Sequence, residues 1–271
     1  MKEFFRGSLD HRLFYKKNEF KLGRKTIVFV HGLSGSSSAW IKYEIKFEKE
    51  YNVLSFDLRG HGKSFKPKKY SDYEIKCFAE DLAELLEFLK IKKCILVSHS
   101  FGTLIALEFL SKYQDKVSAT VFLSPSYCIG KSKLGKIIKP FLNVAHVFRL
   151  FPFFVRRGVH VDYSRFKNSG DWSILRNFAD IPNTGVRVFL YCLSQSYKFD
   201  RENILKNIHV PTLIIHGEKD SIFPVSNGKK MAAEIKNSKL ILLPNANHIL
   251  VLNYFAEVSA AMEEFIKKIH D

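Results

Sequence analysis

The sequence predicts an α/β fold: a mostly parallel sheet flanked by helices, with an N-terminal antiparallel hairpin and an inserted helical cap. Three observations lead to this. From about residue 26 to 125, short β-branched or apolar runs alternate with amphipathic helical patterns, as parallel strands joined by crossover helices do. The alternation then stops for roughly eighty residues, a stretch too long to lack structure of its own. After it, the alternation resumes and runs to the C-terminus.

Taken in order, residues 9–22 read as the hairpin. Residues 26–30, 51–56 and 93–97 read as buried parallel strands. The segment 73–90 places Ile75, Phe78, Leu82, Leu85, Leu86 and Leu89 on one helical face, with glutamates and lysines opposite. A second helix spans 101–113. A strand at 117–123 follows, ended by Ser124-Pro125. Residues 126–205, rich in Phe, Leu, Ile and Arg, read as the helical cap, with helices at 134–150, 171–178 and 184–197. The core resumes with a strand at 212–216, a helix after Pro224, a strand at 239–243 and a C-terminal helix at 251–269. The domains are therefore a core of 1–125 and 206–271 and a cap insertion of 126–205.

Composition narrows the class. The chain has 271 residues, 46% of them apolar, enough to build a full core and far from a disordered composition. Lys and Arg number 43 against 27 Asp and Glu, a net charge of +16. The basic residues are mostly scattered lysines, without an Arg-rich block, zinc-finger spacing or an aromatic single-strand platform, so no nucleic-acid partner is expected. A solvated lysine-rich surface accounts for the charge, and the partner it would otherwise suit is an anionic membrane surface. Cys77, Cys94, Cys128 and Cys192 are too dispersed for a zinc site or a disulfide scaffold, so reduced thiols are expected. The first six residues lack a secretory signal, and the apolar stretch 144–155 is short and broken by His146, Arg149 and Pro152. A cytoplasmic protein is expected.

Five segments carry the chemistry. Ser98-His99-Ser100-Phe101-Gly102 joins a strand to a helix. On its own, such a run also suits an ordinary capped turn. Between a strand and a helix it resembles the nucleophile elbow G-x-S-x-G, with Ser98 in place of the first glycine. His31-Gly32-Leu33 and the serines behind it directly follow the first buried strand. Asp57-Leu58-Arg59-Gly60-His61-Gly62-Lys63-Ser64 follows the next one. His216-Gly217-Glu218-Lys219-Asp220 closes the strand after the cap, and Asn245-Ala246-Asn247-His248 follows the last strand.

In this order the segments resemble those of the α/β-hydrolase superfamily, from about residue 9 to the C-terminus. The resemblance implies Ser100 as nucleophile, His248 as general base and Asp220 as the acid orienting it, with Glu218 and Asp200 as weaker alternatives. It implies an oxyanion hole made by the backbone N–H groups of Leu33 and Phe101. Residues 57–64 read as a structural loop, which keeps His61 out of the catalytic set although a histidine near a cleft is always a rival base. A serine nucleophile speaks against the dehalogenases and epoxide hydrolases of the superfamily, and no cofactor or metal is implied.

The expected activity is hydrolysis of a small-molecule ester, with an apolar or lipid-like acyl group. Acyl transfer, thioester hydrolysis and carbon–carbon bond hydrolysis use the same triad, and a catalytically silent ligand receptor is the reading from another class. The cap supplies the substrate hint. Its aromatics, among them Phe141, Phe148, Phe153, Trp172, Phe178 and Tyr191, exceed what covering a sheet edge needs, and Arg149, Arg156, Arg157 and Arg165 lie among them.

Overall fold

The computed structural model describes residues 1–7, 11–130 and 160–269. Eight strands form one sheet: β1 (Lys2–Arg6), β2 (Leu13–Lys17), β3 (Thr26–Val30), β4 (Asn52–Phe56), β5 (Cys94–His99), β6 (Val117–Leu123), β7 (Thr212–Gly217) and β8 (Ser238–Leu243). Their order is β1-β2-β4-β3-β5-β6-β7-β8. From β4 onward every neighbouring pair is parallel, while β1 and β2 run antiparallel to each other and β2 antiparallel to β4.

Burial on both faces explains the apolar runs of the central strands. Ile27, Phe29, Val53, Ile95 and Val97 point to one face, where Trp40, Tyr43 and Phe47 and the C-terminal helix residues Val258, Met262 and Ile266 cover them. Val28, Val30, Leu54, Phe56 and Leu96 point to the other. There they meet Phe78, Leu82 and Leu85 of one helix (Ile75–Phe88) and Leu104 and Ile105 of another (Phe101–Tyr113). The alternation along each strand thus assigns each side chain to one of two cores.

The hairpin lies further upstream than residues 9–22. Its first strand is Lys2–Arg6, paired from Lys2 opposite Lys17 to Arg6 opposite Leu13. Phe4 stacks on Tyr15 with ring centroids 5.3 Å apart. The strand is half exposed and begins and ends in charge, as an edge strand does, so its apolar signal is weak.

Between β6 and β7, helices run over Ile174–Thr184 and Val186–Lys198. The stretches expected at 171–178 and 184–197 fall on these two, and the helix expected at 134–150 lies outside the described residues. The break between them is Gly185, whose φ of +94° suits a residue without a Cβ. The expected C-terminal helix is divided, into Leu250–Asn253 and Phe255–Lys267, at Tyr254. No helix among the described residues is long and apolar enough to cross a membrane.

Candidate active site

The ends of β5, β7 and β8 meet at one edge of the sheet, and the polar residues just beyond them form the site. Ser100 stands between β5 and the helix Phe101–Tyr113 with φ +54° and ψ −119°, a conformation that a non-glycine residue holds only under strain. Its surroundings impose this. Ser100 N–H donates to the Leu123 carbonyl at 3.1 Å. Thr103 donates its hydroxyl to the Ser100 carbonyl at 2.6 Å. Ser98, at the position of the elbow's first glycine, is fully buried and donates to the Val121 carbonyl over a long 3.5 Å.

From Ser100 a hydrogen-bonded chain runs inward. Its hydroxyl lies 2.7 Å from His248 Nε2, and His248 Nδ1 lies 2.7 Å from Asp220 Oδ2. Because the carboxylate only accepts, Nδ1 carries the hydrogen and Nε2 is left to accept from the Ser100 hydroxyl. All three residues are buried. Asp220 also accepts the N–H groups of Ile222 and Phe223, at 2.9 and 2.8 Å. Burial alone would push its pKa up. The hydrogen bonds from His216 and His248 outweigh that and hold the carboxyl well below the usual range.

Asp220 and His248 sit on neighbouring loops that are tied together, since Lys219 N–H donates to the Ala246 carbonyl at 3.0 Å. Glu218 is exposed, and Asp200 accepts the N–H of Glu202. Among the described residues, neither is bonded to His248.

Phe101 follows the nucleophile directly, and Leu33 follows Gly32, which faces it. Phe101 is the first residue of its helix, where an N–H has no intrahelical acceptor. The Cα of Gly32 lies so near the serine that a Cβ there would be 3.3 Å from Ser100 Cβ. His31 fixes the peptide between Gly32 and Leu33. Its Nε2 accepts the N–H of Leu58 at 3.0 Å, so Nδ1 carries the hydrogen and donates to the Gly32 carbonyl at 2.8 Å. Gly35 N–H donates to the same oxygen. In a trans peptide the Leu33 N–H then points the opposite way. Burial pushes the His31 pKa down to about 4, which keeps this tautomer neutral.

Asp57 is fully buried and accepts the N–H groups of Ser37 and Lys63 and, at 2.7 Å, His160 Nε2. It organises the loop behind the site. His61 donates Nδ1–H to the Arg59 carbonyl, and burial drives its pKa well down.

Two histidines missed in the sequence support the site. His216 Nε2 lies 3.0 Å from the Phe223 carbonyl and 3.3 Å from Asp220 Oδ2. Its place four residues before Asp220 was the available signal. His99 Nε2 donates to the His248 carbonyl at 2.9 Å.

Of the aromatic residues between β6 and β7, Tyr191 is core, packed on Tyr70 and Tyr73, while Trp172 and Phe178 are exposed. Arg165 is exposed as well. Phe141, Phe148, Phe153, Arg149, Arg156 and Arg157 lie outside the described residues. Among the described residues, no group of His, Cys, Asp and Glu is placed to hold a metal ion.

The family model of the alpha/beta hydrolase fold matches residues 25–253. The chain belongs to the α/β hydrolase family. It is 28% identical over 263 residues to a pimeloyl acyl-carrier-protein methyl ester esterase of Wigglesworthia glossinidia brevipalpis, covering 91% of this chain and 95% of that one. Among solved structures it resembles MGS-M2, an alpha/beta hydrolase enzyme from a deep-sea metagenome library, with a TM-score of 0.78 at 23% identity over 99% of this chain and 98% of that one. A bromoperoxidase from Bacillus anthracis superposes with a TM-score of 0.76 at 26% identity, over 98% of this chain and all of the other.

Proposed function

We propose that this α/β hydrolase cleaves a carboxylic ester through an acyl-enzyme on Ser100. The observation that carries the reading is the buried chain from the Ser100 hydroxyl through His248 to Asp220, with both contacts at 2.7 Å. As Ser100 Oγ attacks the ester carbonyl, His248 Nε2 takes its proton, and Asp220 stabilises the imidazolium through Nδ1–H. The N–H groups of Leu33 and Phe101 receive the oxyanion. His248 then protonates the departing alkoxide. In the second half it deprotonates a water, whose attack on the acyl-enzyme releases the acid and restores Ser100.

The expected cap is 126–205, and its described part from residue 160 to 205 serves to cover this site. Support comes from Ser169 and Asp171, which bond to the loops carrying Asp220 and His248. The substrate in this reading is a small ester with an apolar or lipid-like acyl group. The esterase relative named above acts, by its name, on a methyl ester.

The test is labelling by a fluorophosphonate probe, followed by turnover of p-nitrophenyl esters of increasing acyl length. Wild type should label, Ser100→Ala should not, and His248→Ala should label at least a hundredfold more slowly. Folded wild-type protein that neither labels nor hydrolyses any ester would overturn the proposal. Faster turnover when an alcohol or thiol acceptor is added would redirect it to acyl transfer.

A further inference from the structure

Asp171 stands outside the sheet, in the segment between β6 and β7, yet its carboxylate grips both loops of the site. It is 7% exposed. Oδ1 accepts the backbone N–H of His248 at 2.7 Å. Oδ2 accepts the backbone N–H of Ser221 at 2.9 Å and the Ser221 hydroxyl at 2.8 Å. Ser221 follows Asp220 directly, so one side chain holds the base's own backbone and the residue next to the acid.

The contacts around it make this a built arrangement. Arg176 Nη2 donates to the Asp171 carbonyl at 2.7 Å, fixing its backbone. Trp172 Nε1 donates to Ser221 Oγ at 2.9 Å, so the hydroxyl accepts from the tryptophan while it donates to the carboxylate. Two residues earlier, the Ser169 carbonyl accepts the side-chain amides of Asn247 and Asn253, each at 2.9 Å.

We propose that Asp171 is a positioning residue that sets the distance between the loops of Asp220 and His248. The inference rests on the reading of Ser100, His248 and Asp220 as a triad. The physical argument is one of tolerance. The bond from His248 to Asp220 joins two loops, each leaving a different strand, and Ser100 belongs to a third element. A displacement of about 1 Å in such a constellation costs on the order of a hundredfold in rate. A charged acceptor receiving three donors is stiffer than neutral bonds would be, and it spans the two loops that must stay in register. The segment between β6 and β7 thereby acts on the chemistry as well as on access to the site.

The test compares full-length Asp171→Ala, Asp171→Asn and Ser221→Ala with wild type and Ser100→Ala. It measures thermal stability, fluorophosphonate labelling rate, and kcat and KM on a p-nitrophenyl ester. Asp171→Ala should lose about thirtyfold or more in kcat and in labelling rate, with KM within about threefold of wild type. Asp171→Asn keeps the volume and one acceptor oxygen, so it should recover part of the rate. Ser221→Ala removes the hydroxyl's bond to Asp171 and its bond from Trp172 but keeps the backbone N–H bond to the carboxylate, so it should lose about two- to fivefold. If Asp171→Ala does not fold, the other two variants decide. Wild-type kcat and labelling rate in both would overturn the proposal, as would folded Asp171→Ala with wild-type kcat. Labelling of Ser100→Ala at the wild-type rate would instead overturn the triad reading.

Discussion

Gly102 lies with its Cα against the carbonyl oxygen of Val30: a Cβ built there would approach that oxygen, and the carbonyl oxygen of His31, to 2.7 Å. Both are backbone atoms of β3 and the loop after it, so no side chain can rotate away. Gly102→Ala should therefore push the elbow from β3 and cost about 1–3 kcal/mol in urea unfolding. Ser98→Gly should behave differently. Its hydroxyl bond is long, and glycine in a strand costs about 0.5–1 kcal/mol, so stability should fall by no more than about that and the fluorophosphonate labelling rate should stay near wild type. A Gly102→Ala protein as stable as wild type would contradict the close packing at the elbow.

These two positions show what the sequence could and could not reveal. Ser98 makes the motif an imperfect match, yet the backbone takes the elbow conformation, because it is the contacts of Gly102 and the strand-to-helix context that demand it. Ser100, Asp220 and His248 were legible because each follows an apolar run that must be a buried strand, and strand order brings their ends together. Asp171 was not. Its partners His248 and Ser221 lie 77 and 50 residues away, and no local period marks a carboxylate in an irregular segment. His31 was legible as part of a loop after a strand, but its tautomer emerges only when the Leu58 N–H is found on Nε2. The start of the hairpin is faint in the sequence because its first strand is an edge strand, and Lys2–Arg6 carries three charged residues among five.

Acid should weaken this fold earlier than its carboxylates alone would dictate. Burial lowers the pKa of His31 to about 4 and of His99 to about 3, and drives that of His61 well down. Unfolded, each imidazole titrates near 6.5, so the unfolded chain binds their protons first, and stability is lost as the pH falls from about 6.5 toward 4. Asp180 works in the opposite direction. Burial raises its pKa to about 6, so in the same window the folded state holds a proton that the unfolded state lacks. Asp81, whose pKa burial also pushes up, adds to Asp180, so the three histidines leave a net uptake of about one to two protons on unfolding near pH 5, a slope of roughly 1–3 kcal/mol per pH unit. Urea unfolding at pH 7.5, 6.0 and 5.0 measures it. His61→Phe should lower the slope by about one proton, and equal stability at pH 7.5 and 5.0 would contradict the assignment.

The most exposed test of the packing is an ion pair beneath the surface. Lys16 of β2 places Nζ 2.6 Å from Glu44 Oε1 and 2.8 Å from Oε2, with both side chains less than a tenth exposed. Ser55 of β4 donates its hydroxyl to the same carboxylate. Removing one partner leaves a buried charge without its counter-charge, so Lys16→Met should cost about 3–5 kcal/mol. In the double variant Lys16→Met, Glu44→Gln no charge is stranded, and the glutamine oxygen still accepts from Ser55. It should therefore be more stable than Lys16→Met alone, recovering at least half of the loss. The coupling between the two sites, read from the four urea curves, separates this from simple loss of the lysine's packing: a packing effect would leave the double variant no better than the single one.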